Sequence, residues 1–235
     1  MNAAEEGSSP NTVAEQLVLD LSHPEPPSFA NFVASGNREA VAAIIALAGG
    51  TTRETGVLLW GAPGVGKSHL LAACVAAARE ARRPVVACNS PQALPAGDIA
   101  SSALLVVDAV DAADGFCQAR LFTLVNQLAA SGGHWLAAAS APPARLALRE
   151  DLRTRLALGL VLEIVPLADA DKPQALAAYA RERGFRLADD VIDYLLAHGR
   201  RDMKSLVGTL AALDRRSLAT RRSITVPMLR EWLAR

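Results

Sequence analysis

From Ser28 to Pro166, short unbroken apolar runs alternate with longer stretches in which apolar residues recur every three or four positions. The runs Val57-Leu58-Leu59-Trp60, Pro84-Val85-Val86-Ala87-Cys88, Ala103-Leu104-Leu105-Val106-Val107-Asp108, His134–Ala139 and Val161-Leu162-Glu163-Ile164-Val165 predict five strands. A strand that is apolar along its whole length is one covered on both faces, as in the middle of a parallel sheet. The spacing between the runs predicts helices over Asn37–Ala48, about Lys67–Ala81 and near Gln118–Ala130. Asn37 fits the N-cap of the first, and Gly49-Gly50 fits its stop. Strands that alternate with helices must be joined by crossovers, which gives a doubly wound parallel sheet.

After Pro166 the rhythm changes. Asp171–Arg183, Asp189–Ala197, Met203–Thr220 and Pro227–Leu233 all have helical spacing, with Gly184 and Gly199 as stops and only Ile224-Thr225 compatible with a strand. The body therefore divides into an α/β domain over residues 28–166 and a small all-helical domain over 167–235. Ahead of them, residues 1–15 are small and polar. Gln16-Leu17-Val18-Leu19-Asp20-Leu21 alternates, and Pro24-Glu25-Pro26-Pro27 keeps the chain extended, so residues 1–27 read as an arm carrying a short peptide.

Composition narrows the class. Half of the 235 residues are hydrophobic (51%) and a fifth are charged (20%), enough for a sizeable core and unlike a disordered chain. Acidic and basic residues balance at 24 each, whereas a protein that grips nucleic acid by itself carries a basic excess. Cys74, Cys88 and Cys117 are odd in number and lack CxxC spacing, which fits buried thiols in a reducing compartment. No apolar run is long enough to span a bilayer, and Glu5 and Glu6 stand where a signal peptide would be basic. The expectation is a cytoplasmic protein without a membrane partner.

The chemistry concentrates in Gly61-Ala62-Pro63-Gly64-Val65-Gly66-Lys67-Ser68, a complete Walker A phosphate loop between a strand and a helix. Small residues let backbone N–H groups turn toward phosphate oxygens, and the helix adds its positive N-terminus. Lys67 would meet the β- and γ-phosphates, and Ser68 would coordinate Mg²⁺. Asp108, at the end of another strand, would hold the metal's water shell. Ala109 follows it where hydrolytic relatives place a second carboxylate. Asp111 reaches the site only if the loop bends back, so binding is better supported than rapid hydrolysis. Arg153 and Arg155, just before the last strand, fit either a solvated helix face or an arginine supplied to a neighbour's nucleotide. The run Arg200-Arg201-Asp202-Met203-Lys204 leaves a phosphate-facing and an exposed cation equally open.

Strand, Walker A loop, Asp-ended strand, arginine before a strand and helical lid follow in the order of AAA+ proteins. Within that class the chain resembles the DnaA–Hda family, the bacterial replication initiator and, more closely, its shortened homologues. Ser28-Phe29-Ala30-Asn31-Phe32-Val33 with Gly36-Asn37 looks like the opening motif beside the adenine pocket, and Val106-Val107-Asp108-Ala109-Val110-Asp111 looks like a Walker B segment without its second acid. Ser140-Ala141-Pro142-Pro143-Ala144-Arg145-Leu146 resembles the sensor 1 segment, Arg155 in Thr154-Arg155-Leu156 the arginine finger, and Lys204 the sensor 2 position. Gln16, Leu17, Leu19 and Leu21 are similar to a sliding-clamp-binding peptide, with Asp20 where proline is common. Ser140 and Lys204 stand where an acid and an arginine are usual, which bears on γ-phosphate sensing.

The resemblance implies a P-loop AAA+ fold, a parallel five-stranded sheet plus a helical lid, that binds ADP or ATP with Mg²⁺. Asn31, Phe32, Val33, the loop residues 61–68, His69 and Lys204 would contact the nucleotide. It further implies a regulator that docks on the sliding clamp, the β subunit of the replicative polymerase, and stimulates ATP hydrolysis by DnaA through Arg155. Contact with DNA would be indirect, through the clamp at the nucleoid, and a homo-oligomer is compatible with the layout. Two rivals follow from the same residues: an autonomous ATPase such as a helicase loader or transposition helper, and a paralogue acting as a membrane or scaffold adaptor. Ala109 and the neutral charge speak against the first.

Overall fold

The computed structural model describes residues 26–220 and 222–234. Five strands, β1 (Gly56–Trp60), β2 (Val85–Cys88), β3 (Leu104–Val107), β4 (His134–Ala139) and β5 (Leu160–Glu163), form one parallel sheet in the order β2-β3-β4-β1-β5. The loops after β1 and β3 carry the Walker A motif and Asp108, and β4 lies between these two strands. Strand-neighbour order thus brings residues separated by some forty positions to one edge of the sheet, where ligands of open α/β sheets bind.

Helices α1 (Arg38–Gly49) and α2 (Lys67–Glu80) cover one face, and α3 (Gly115–Ser131) and α4 (Glu150–Ala157) the other. The period of two is visible in β1: Val57 and Leu59 pack with Ile44, Leu47, Leu70 and Cys74, whereas Leu58 packs with Leu121, Leu124, Leu152 and Leu156. Trp135 on β4 lies so close over Gly56 and Gly159 that a Cβ at either would overlap its ring, at 2.0 and 2.7 Å. The expected Val161–Val165 is offset by one residue at its start and two at its end: the ladder runs from Leu160 to Glu163, and Ile164 adds one more bond, its N–H donating to the Trp60 carbonyl at 2.7 Å.

Asn37 occupies the N-cap of α1, but its side chain does not cap. Its amide instead donates to the Val165 carbonyl (3.0 Å) and accepts from the Val165 N–H (2.9 Å), tying the first helix to the exit of β5. The expected cap is replaced by a long-range clamp because an amide can satisfy one backbone donor and one acceptor at once.

Four helices follow, α5 (Lys172–Glu182), α6 (Asp189–His198), α7 (Met203–Thr220) and α8 (Val226–Leu233), around a separate core of Leu176, Val191, Ile192, Leu195, Leu206, Leu210, Leu213 and Leu229. Ile224-Thr225 forms no strand; Ile224 is buried in that core as an irregular link into α8. Arg183 and Asp214, both about 6% exposed, pair at 3.3 Å inside the lid. No described helix is long and apolar enough to cross a membrane.

Candidate functional site

The Walker A loop turns on glycine. Gly64 (φ 82°) and Gly66 (φ 106°) lie in the left-handed region, where a side chain is strained. A Cβ on Gly66 would also sit 2.8 Å from the Phe32 ring. Lys67 opens α2 and donates to the carbonyls of Gly61 (2.6 Å) and Ala62 (2.9 Å). Burial pushes its ammonium below the ordinary lysine range, opposed by Asp108 and Asp111.

Ser68 donates from Oγ to Asp108 Oδ2 at 2.6 Å, and Asp108 Oδ1 accepts from the Ala109 N–H at 2.8 Å. A hydroxyl and a carboxylate brought together beyond the ends of β1 and β3 suit a Mg²⁺ ion that takes one protein oxygen, phosphate oxygens and waters. These two residues fit the metal that a nucleotide would bring. Ala109 adopts φ 51°, a left-handed conformation in a residue with a Cβ. That bend starts a single turn over Val110–Ala112, buries Val110, and brings Asp111 back into the cavity, where its Oδ1 accepts from the Ser140 N–H at 3.3 Å. The loop does bend back, so Asp111 joins the site from three residues beyond Asp108.

The opening segment forms a strap over α2. Ser28 and Asn31 exchange hydrogen bonds, Ser28 N–H to Asn31 Oδ1 at 2.8 Å and Asn31 N–H to Ser28 Oγ at 3.3 Å. His69 Nε2 lies 3.0 Å from the Ser28 carbonyl, and its ring centroid 5.5 Å from that of Phe32. His69 therefore anchors the strap from the helix side, while Asn31, Phe32 and Val33 face the cavity.

The lid closes the other side. Ser35 donates to Asp171 Oδ2 at 2.5 Å, and the buried Lys172 ammonium donates to Asp169 Oδ1 (2.6 Å) and the Arg201 carbonyl (2.8 Å). The result is a cavity of about 820 Å³. Residues 62–69, Asp108, Asp111 and Ser140 line it from the sheet domain, Ala30, Phe32 and Val33 from the strap, and Ala175, Ala178 and Val207, with the polar Lys172, Tyr179, Arg183 and Asp202, from the lid. A lining that combines a phosphate loop with apolar side chains suits a ligand with a polyanionic part and a flat apolar part, as a nucleotide has.

Arg155 is elsewhere. Buried Leu152 and Leu156 pin α4 to the sheet, and Arg155 stands half-buried in a shallow depression with Phe122, Glu150, Asp151, Thr154 and Leu158. Among the described residues none forms a hydrogen bond or ion pair with its guanidinium, whereas nearby Arg149 pairs with Asp151 at 2.6 Å.

Residues 169–233 match the family model described as Hda, lid domain. The lid is therefore similar to that of Hda. The chain superposes on domain III of the replication initiation protein DnaA from Thermotoga maritima with a TM-score of 0.75 at 20% identity, covering 86% of this chain and 93% of that one. AMPPCP-bound DnaA from Aquifex aeolicus gives a TM-score of 0.67 at 22% identity, with 83% of this chain covered and 66% of the other. The RuvB Holliday junction branch migration motor of T. maritima gives 0.66 at 15% identity, covering 88% and 70%. The fold is thus that of DnaA domain III, shared with RuvB, and its lid stretch is similar to the Hda lid.

Within that lid Lys204 lies in the first turn of α7, and its side chain falls outside the described residues. So do Gln16, Leu17, Leu19 and Leu21. The lid supplies three polar cavity residues that the sequence did not single out: Lys172, Tyr179 and Arg183. Tyr179 and Arg183 lie one helical turn apart on the inner face of the lid, with the guanidinium carbon 5.6 Å from the ring centroid. Such spacing is ordinary in any helix, so only their placement on the cavity distinguishes them.

Proposed function

We propose that this chain is an ADP-bound, Hda-type regulator of chromosomal replication initiation. It docks on the DNA-loaded sliding clamp through Gln16, Leu17, Leu19 and Leu21, and it presents Arg155 to ATP held by the initiator DnaA. The guanidinium stabilises charge developing on the transferred phosphoryl group, so the initiator hydrolyses its ATP and is switched off. The nucleotide in this chain's own cavity, held by the Walker A loop with Mg²⁺ at Ser68 and Asp108, sets its shape more than it turns over. The chain meets DNA through the clamp, and so works in the cytoplasm at the nucleoid.

The Hda lid over residues 169–233 carries this reading. Two features support it. Ala109 leaves no carboxylate directly after Asp108, and Arg155 is presented away from its own cavity beside exposed Leu158. The test is initiator ATP hydrolysis with this protein, clamp and DNA, each omitted in turn. Stimulation that needs all three is expected; undiminished stimulation without the clamp, or none with everything present, would contradict the proposal.

A further inference from the structure

Asp202 immediately precedes α7 and reaches the tip of the Walker A loop across the cavity. A Cβ built on Gly64 would lie 3.8 Å from Asp202 Oδ1, and both residues line the cavity. Gly64 belongs to the stretch whose backbone cradles phosphate, three residues before the lysine that reaches the β- and γ-positions. A carboxylate therefore stands beside the tip of the stretch that would cradle phosphate.

The surrounding charges leave that carboxylate ionised. The Ser205 N–H donates to Asp202 Oδ1 at 2.9 Å and holds its carboxyl below the ordinary aspartate range. Arg200 lies 3.7 Å away but is 85% exposed. Arg201 is directed at Asp169 (3.8 Å), and Lys172 is committed to Asp169 and the Arg201 carbonyl.

We propose that Asp202 sets the nucleotide preference of this site: its carboxylate beside the loop tip opposes a third phosphate and favours a nucleoside diphosphate. This rests on the reading of the cavity as a nucleotide site. It supplies the residue through which the protein stays in its diphosphate form.

The test is the affinity of the full chain for ADP and for AMPPCP, both with Mg²⁺, in wild type, Asp202→Asn and Asp202→Glu. Asparagine keeps the acceptor that caps α7, so the fold is retained. In Asp202→Asn the preference for ADP shrinks by about fivefold or more, through tighter AMPPCP binding, and Asp202→Glu keeps it. An unchanged ratio in Asp202→Asn overturns the proposal, as does a loss of preference in Asp202→Glu equal to that in Asp202→Asn. In the wild type alone, added salt narrows the preference, and a preference that ignores salt also overturns it. If the wild type binds neither nucleotide, the reading beneath the proposal fails instead, a distinct result.

Discussion

Lys67 and Arg155 are both cations held on helices of the same sheet domain, but one is enclosed and the other presented. Lys67 is wrapped by its own loop, bonded to two carbonyls, and flanked by Asp108 and Asp111. Arg155 projects from a helix pinned by Leu152 and Leu156, next to a leucine that is 65% exposed, and no described side chain pairs with it. A cation built to hold a ligand within its own chain has its partners assembled around it. A cation built to act on another molecule has a rigid support and an open front. The contrast is what the proposed division requires, with binding in one region and activation of a partner in the other.

The sharpest way to break the contrast is to remove each cation separately. Arg155→Ala should lower stimulation of initiator hydrolysis by about a thousandfold and leave nucleotide affinity and clamp binding unchanged, read from phosphate release, titration and clamp pull-down. Lys67→Ala should weaken nucleotide binding by about a hundredfold, as expected for losing a charge-assisted bond to phosphate. If Arg155→Ala also weakened binding in the chain's own cavity, the two regions would not be separate.

The enclosed side depends on the lid, and the lid on a buried ion pair. Asp214→Asn leaves Arg183 without its carboxylate and should cost about 3 kcal/mol in lid stability, measured by chemical denaturation. Because Arg183 also lines the cavity, nucleotide affinity should fall with it. On the presented side, Leu158→Ala should change stability by less than about 0.5 kcal/mol, since the side chain is mostly exposed, yet weaken engagement of the initiator.

The smallest effect concerns pH. Burial, with Arg83 Nη2 donating to His134 Nδ1 at 3.1 Å, holds His134 below the ordinary histidine range. The folded state then binds fewer protons than the unfolded one. Its stabilising contribution is complete above about pH 6.5 and declines as pH falls toward the folded value. A melting temperature that drops from pH 6.5 to 5.5 in the wild type, and less in His134→Asn, is expected; identical slopes would remove His134 as the cause. Neither nucleotide binding nor stimulation should follow this titration, since His134 lies at the opposite end of β4 from Ser140.

The sheet and the Walker A loop were legible in the sequence because both are written locally. Strand runs such as Leu104–Val107 are apolar throughout, and the phosphate loop is one contiguous motif. Asp108 was legible as a strand-terminal acid. What the sequence withheld depends on chain reversals and helix orientation. Asp111 enters the cavity only because Ala109 takes a left-handed conformation, which nothing about alanine announces. Asn37 looked like a helix cap, and its clamp on Val165 needs a neighbour 128 positions away. Lys172, Tyr179, Arg183 and Asp202 face the site only once the lid has folded onto the sheet domain.

The most direct test of the central claim is single-turnover hydrolysis of ATP preloaded on the initiator, with clamp, DNA and either wild-type, Lys67→Ala or Arg155→Ala protein. Arg155→Ala should reduce the rate to that of the initiator alone, and Lys67→Ala should restore stimulation once its folded, nucleotide-loaded form is reached at high ADP. Wild-type stimulation by Arg155→Ala would contradict the claim.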